Sequence, residues 1–260
     1  MAKPASKSKA AAPDYWEQSQ WPLQALVFLS PLIVFYELGM ALLSSNRVRA
    51  ALGMKPFGGL NAFLKARHDL TTFFEHLGIT GIYLPGLVIA VVLMTCHLVR
   101  RDPWRLEPRL YWRMGVESLA LTTCLFVLLM VLSRKVLPAA AGTTPLGVLD
   151  YLVLSVGAGV YEELIFRLVG IALLHFVLVD WLRIPRGWGA GITVGVTSLA
   201  FAYYHFNDAN PFHFGLMLFY TAAGVYFAGI YVLRGFGIVV AVHALYDILV
   251  VLYRWRHGIL

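Results

Sequence analysis

Apolar residues along this chain gather into runs long enough to cross a lipid bilayer, and the polar residues collect between them. Roughly 20 apolar residues in helical conformation cover the hydrocarbon core. By that measure Pro22–Leu43, Leu77–Val99, Leu110–Leu132, Gly189–Tyr204, Phe212–Leu233 and Phe236–Tyr253 each read as one span. The run Leu146–Leu182 is too long for a single crossing, and a division near Gly157–Ala158–Gly159 is predicted, giving two helical pieces. The fold class expected is therefore all-α, a polytopic membrane protein with about seven to eight transmembrane helices. Pro31 is expected to kink the first span. Asn61–Phe74, inside the polar stretch Ser44–His76, reads as an interfacial amphipathic helix. Asn207–Pro211 reads as a turn by composition.

Three parts follow from this pattern. Residues 1–21, with Lys3, Lys7 and Lys9 among Ala, Ser and Pro, read as a disordered basic tail. Residues 22–145 carry the N-terminal membrane helices and loops. The first run is too long for a signal-peptide core and lacks an Ala-x-Ala exit, so it is expected to be retained. Residues 146–254 form a membrane core in which the unusual polar residues concentrate.

Composition sharpens the membrane assignment. The chain is 59% apolar and only 13% charged, with mean hydropathy +0.71, whereas globular proteins carry about a quarter charged residues. The net charge of +7 comes from clusters between the apolar runs. That distribution suits contact with anionic lipid headgroups and argues against nucleic acid as a partner. Cys96 and Cys124 lie in apolar runs, form no CxxC pair and imply no disulfide framework. Placing the tail and the Arg100–Arg113 loop inside leaves 11 Lys/Arg on that side against 9 on the other, a small bias toward a cytoplasmic N-terminus. No internal repeat is visible, which weighs against a transporter built from paired halves.

The polar exceptions carry the chemistry. An ionisable side chain at a helix centre costs roughly 2.5–3.5 kcal/mol on insertion scales, yet Tyr161–Arg167 holds Glu162, Glu163 and Arg167 inside an apolar run. Glu163 and Arg167 stand i,i+4 with the acid N-terminal, the better orientation for a helix ion pair. Glu162 lies about 100° around the helix from Glu163 and is left as the free carboxylate. A desolvated free carboxylate suits general-base work on water. The competing reading is that both acids neutralise Arg167 in a buried cluster. His205 ends the run Thr193–Tyr204, with Phe201 four residues before it, and by itself reads as an interfacial histidine. His243 and Asp247 share one helix face at i,i+4, within an apolar run where packing does not explain them. Glu37 and Glu117 are expected near interfaces or paired with arginines. His175, Asp180 and His213 are kept out of the site.

Glu162-Glu163-x-x-x-Arg167, then Phe201-x-x-x-His205, then His243-x-x-x-Asp247, in this order on separate apolar helices, resembles the CAAX-protease and bacteriocin-processing (Abi) family of membrane endopeptidases. The resemblance covers roughly residues 146–252. It implies an intramembrane endopeptidase of glutamate type acting on a membrane-associated peptide or protein, lipidated or membrane-anchored, in a multi-pass protein of a prokaryotic plasma membrane. Under it Glu162 with His205 would activate water, His243 and Asp247 would stabilise the oxyanion, and Glu163 with Arg167 would support the site. The family often has Asn at the last position, and an ionised Asp247 would repel an oxyanion. It must then be protonated, orient His243 or bind a metal. Zinc held by Glu162, His205, His243 and Asp247 is the alternative to metal-free catalysis without a cofactor, although the chain has no HExxH or HxxEH pair. A reading from a different class is a transporter or non-catalytic membrane scaffold that uses the same Glu/His cluster to bind a ligand or protons.

Overall fold

The computed structural model describes residues 13–54, 65–76, 84–136, 147–207 and 210–258. Among them every regular element is helical: α1 (Tyr15–Gln18), α2 (Pro22–Leu43), α3 (Asn46–Ala51), α4 (Lys65–His76), α5 (Leu84–Arg100), α6 (Pro108–Val136), α7 (Val148–Glu163), α8 (Gly170–His175), α9 (Arg186–Tyr204), α10 (Phe214–Arg234) and α11 (Phe236–Arg256). Among the described residues five helical rods are long and apolar enough to cross a membrane: Pro22–Leu43, Pro108–Leu132, Val148–Trp181, Phe214–Arg234 and Phe236–Arg256. The other two expected spans are marginal for identifiable reasons. The apolar part of α5, Gly86–Arg100, is short, and residues 77–83 lie outside the described ones. In α9 the apolar residues are diluted by Gly, Thr and Tyr.

The predicted division at Gly157–Gly159 does not occur. α7 runs through it, a π-helical stretch, Leu164–Val169, joins α7 to α8, and a second, Phe176–Trp181, extends α8, so that Val148–Trp181 is one continuous rod. Gly159 serves packing instead: a Cβ there would lie 2.7 Å from the Ala244 backbone nitrogen, so glycine lets α7 and α11 touch backbone to backbone. Pro31 lies inside α2 without ending it. The amphipathic element is seen as α4, Lys65–His76, which runs two residues beyond the expected Phe74; the expected start at Asn61 falls in residues 55–64, which lie outside the described ones.

Part of the expected disordered tail is ordered. Asp14 caps α1 by accepting from the Glu17 amide, Trp21 and Ser19 are buried, and the Tyr15 hydroxyl donates to Glu117. Arg234, at the end of α10, pairs with Glu117 at 2.5 Å and donates to Ser19 Oγ at 3.0 Å. The expected arginine partner of Glu117 is thus Arg234, and the segment before α2 is held where α6 meets the α10–α11 turn. That turn is made by Gly235, whose φ of +80° favours glycine. Exposed Trp16, Trp104, Trp112, Trp181, Trp188 and Trp255 lie near helix ends or between helices, as aromatic residues do at membrane interfaces.

α11 is the axis of the bundle. From Phe236 to Ala244 every residue is buried, so this half-helix is apolar all round except for His243. α7, α6 and α10 pack around it, with α2 against both α7 and α11. Where α3 meets the start of α7, Arg49 of α3 makes a two-pronged contact with Asp150 of α7, at 2.6 and 3.1 Å, both side chains almost wholly buried. Large apolar side chains such as Leu87, Val91, Val127, Leu173, Phe176 and Val232 face outward, which in a lipid-embedded bundle is the expected side for them.

Candidate active site

The site is built where α7, the first π-helical stretch, α9, α10 and α11 meet. The sequence-derived ion pair is present: Arg167 Nε lies 3.1 Å from Glu163 Oε2, and both side chains are sealed from solvent. The π-helical turn that starts at Leu164 carries Arg167, and such turns recur at functional sites. Arg167 also donates to the Gly224 carbonyl of α10 at 3.2 Å, and its guanidinium rests 4.3 Å over the Phe201 ring.

Glu163 does more than the sequence implied. Its second oxygen, Oε1, lies 2.7 Å from His243 Nδ1. Glu163 therefore links Arg167 to His243 across 80 residues of sequence. With the carboxylate ionised beside Arg167, Nδ1 carries the proton and donates it, leaving Nε2 to face the site. His243 is stacked on Phe227 at 4.4 Å and 18°, so its ring plane is fixed on a second side. Its Nε2 lies 3.5 Å from Asp247 Oδ2. Of the roles weighed for Asp247, orienting the imidazole is carried by Glu163 at shorter range.

His205 is held by a parallel device. Its Nδ1 lies 2.8 Å from the Phe201 carbonyl oxygen, which only accepts, so Nδ1 carries the proton here too. The ring stacks on Tyr220 of α10 at 4.2 Å and 23°. Asn210, in the turn expected from composition, donates to the His205 carbonyl at 2.9 Å. The Nε2 of His205 points to Glu162 Oε2 at 3.7 Å. That carboxylate oxygen is buried and has no hydrogen-bond partner among the described residues. Neighbouring Tyr161 donates to Glu37 of α2 at 2.7 Å, so that this membrane carboxylate has a tyrosine partner.

Glu162 and Asp247 both line a groove of about 240 Å³ between α7 and α11. All six residues singled out in the sequence are thus drawn into one neighbourhood: Glu162 with His205, and Glu163 with Arg167, His243 and Asp247. Sequence reasoning missed the Glu163–His243 bond and the aromatic walls Tyr220 and Phe227. No residue spacing signals these, because each pairs elements far apart in the chain.

The donor set named for zinc is split into two couples, Glu162 with His205 and His243 with Asp247. Among the described residues no three His, Cys, Asp or Glu side chains converge as a metal ion would require, with ligand bonds near 2.0–2.2 Å.

Residues 143–249 match the family described as type II CAAX prenyl endopeptidase Rce1-like. The matched segment holds all six of the residues above. No curated protein and no solved structure matches the chain.

Proposed function

Because residues 143–249 belong to the Rce1-like family of type II CAAX prenyl endopeptidases, we propose that this integral membrane protein hydrolyses a peptide bond in a lipidated or membrane-anchored substrate, with Glu162 as the base. The observation that carries the proposal is the pairing of Glu162 Oε2, buried and without a hydrogen-bond partner among the described residues, with His205 Nε2 at 3.7 Å. In its neutral form the His205 ring would present a lone pair at Nε2, because the Phe201 carbonyl beside Nδ1 only accepts and so holds the proton there. Two acceptors then face each other across a gap longer than a direct hydrogen bond. A water held by both would donate one proton to each and turn an oxygen lone pair toward a substrate carbonyl. Glu162 takes up the proton as the oxygen attacks and can return it to the leaving amine.

The second couple suits the developing oxyanion. A His243 protonated at both nitrogens would donate from Nδ1 to Glu163 and from Nε2 into the site, where Asp247 lies 3.5 Å away. Asp247 would balance that imidazolium, and it would accept the Nε2 proton less strongly than a carboxylate at full hydrogen-bond range. Glu163 and Arg167 are positioning residues: they fix the His243 ring and the turn of helix next to Glu162. The substrate class implied is a prenylated peptide. The reading is tested by reconstituting the purified protein in liposomes and offering matched peptides with and without an isoprenyl cysteine. Cleavage of the lipidated peptide, mapped by mass spectrometry, is expected. Absence of cleavage of either peptide by folded protein would overturn it and favour a ligand- or proton-binding role for the cluster.

A further inference from the structure

α7 and α11 approach most closely where Gly159 meets Ala244, with no room for a Cβ. Beside that crossing they leave a groove lined on α7 by Tyr151, Leu154, Ser155, Ala158 and Glu162, and on α11 by Asp247, Val250 and Val251. The α7 residues follow an i, i+3, i+4, i+7 and i+11 pattern, so they form one stripe about 16 Å long leading away from Glu162. The groove volume, about 240 Å³, is below the roughly 300–1,000 Å³ of complete small-molecule sites. It holds a strip of a substrate, not the whole of one.

The lining selects the occupant. Glu162 and Asp247 are acceptors when ionised, and an apolar chain laid against them would leave them desolvated without donors, which is costly. An extended peptide brings backbone N–H groups to those oxygens, while Leu154, Val250 and Val251 receive side chains. Ser155 cannot serve as a free donor there, because its hydroxyl already donates to the Tyr151 carbonyl at 2.8 Å. The smallest side chain on the α7 wall is the methyl group of Ala158, one turn from Glu162.

We propose that the α7–α11 groove receives the peptide segment next to the cleaved bond and that Ala158 sets the size of the substrate side chain accepted there. This rests on the endopeptidase reading above. A pocket contact of one or a few methylenes discriminates by about 10–200-fold. The test uses full-length protein in liposomes and isoprenylated peptides that differ only by Ala or Phe at each position flanking the cleaved bond. At one of these positions Ala158→Leu is expected to lower the Phe-to-Ala ratio of kcat/KM at least tenfold, chiefly through KM, and Ala158→Gly is expected to raise it. If Ala158→Leu cleaves neither peptide, the Ala158→Gly ratio decides.

Wild-type ratios in both variants would overturn the proposal while leaving the endopeptidase reading intact. A change in preference between C15 and C20 isoprenoid chains, with no change in residue preference, would also overturn it by placing the lipid in the groove. Failure of the wild-type protein to cleave any peptide would instead remove the reading on which the proposal stands.

Discussion

Glu163→Gln isolates the carboxylate that joins the ion pair to the histidine. The substitution keeps the shape of the side chain and removes one negative charge from a place sealed from solvent. Two partners are affected: Arg167 Nε at 3.1 Å and His243 Nδ1 at 2.7 Å. At an effective dielectric of about 20, Coulomb's law gives about 5 kcal/mol for charges 3.1 Å apart, in the range of roughly 3–5 kcal/mol lost when one partner of a buried pair is removed. Arg167 keeps the Gly224 carbonyl and the Phe201 ring, so the lower end, about 3 kcal/mol, is expected. Reversible unfolding in mixed detergent measures this directly. The adjacent isosteric change, Glu162→Gln, is the control: among the described residues Glu162 makes no ion pair shorter than the 3.7 Å approach to His205, so it is expected to cost less than about 1 kcal/mol. A double cycle with Arg167→Met separates pairing from shape, and Glu163→Gln in the Arg167→Met background is expected to cost much less than alone. Equal stability losses for the Glu162 and Glu163 changes, or an additive cycle, would refute the assignment of Glu163 as the internal brace.

Other consequences follow from the same contacts. Gly159→Ala is expected to destabilise by about 1–3 kcal/mol through overpacking against Ala244, although alanine is the better helix former. Gly195→Ala, where a Cβ meets open space, is expected to be neutral or stabilising in the same unfolding assay, and the reverse order would contradict the close crossing of α7 and α11. Because the Glu and His donors stand as two couples, cleavage is expected to survive prolonged treatment with a strong zinc chelator. Complete loss restored by zinc alone would favour the four-ligand arrangement.

Much of this was legible in the sequence, and what was not has a physical cause. Run length against bilayer thickness located α2, α6, α10 and α11 to within a few residues. The i,i+4 spacing found the Glu163–Arg167 pair and left Glu162 apart from it. The same length rule failed at Gly157–Gly159, because it assumes that a long apolar run must be cut. Here a continuous rod with two π-helical stretches takes up the excess, and the glycine is used for helix contact. Composition also misjudged residues 13–21, whose few anchors act through partners more than 90 residues away: Tyr15 on Glu117 and Ser19 on Arg234. The Glu163–His243 bond was invisible for a related reason, since helical spacing describes neighbours on one helix and says nothing of how two helices are turned toward each other.

The central claim concerns one carboxylate, and one rate tests it. Cleavage of an isoprenylated peptide by Glu162→Gln in liposomes is to be compared with wild type under single-turnover conditions, with thermal unfolding recorded on the same samples. General-base assistance contributes about 10²–10⁴-fold, so a fall of at least about 10³-fold at unchanged unfolding temperature is expected. A variant that folds equally well and cleaves at the wild-type rate would contradict Glu162 as the base.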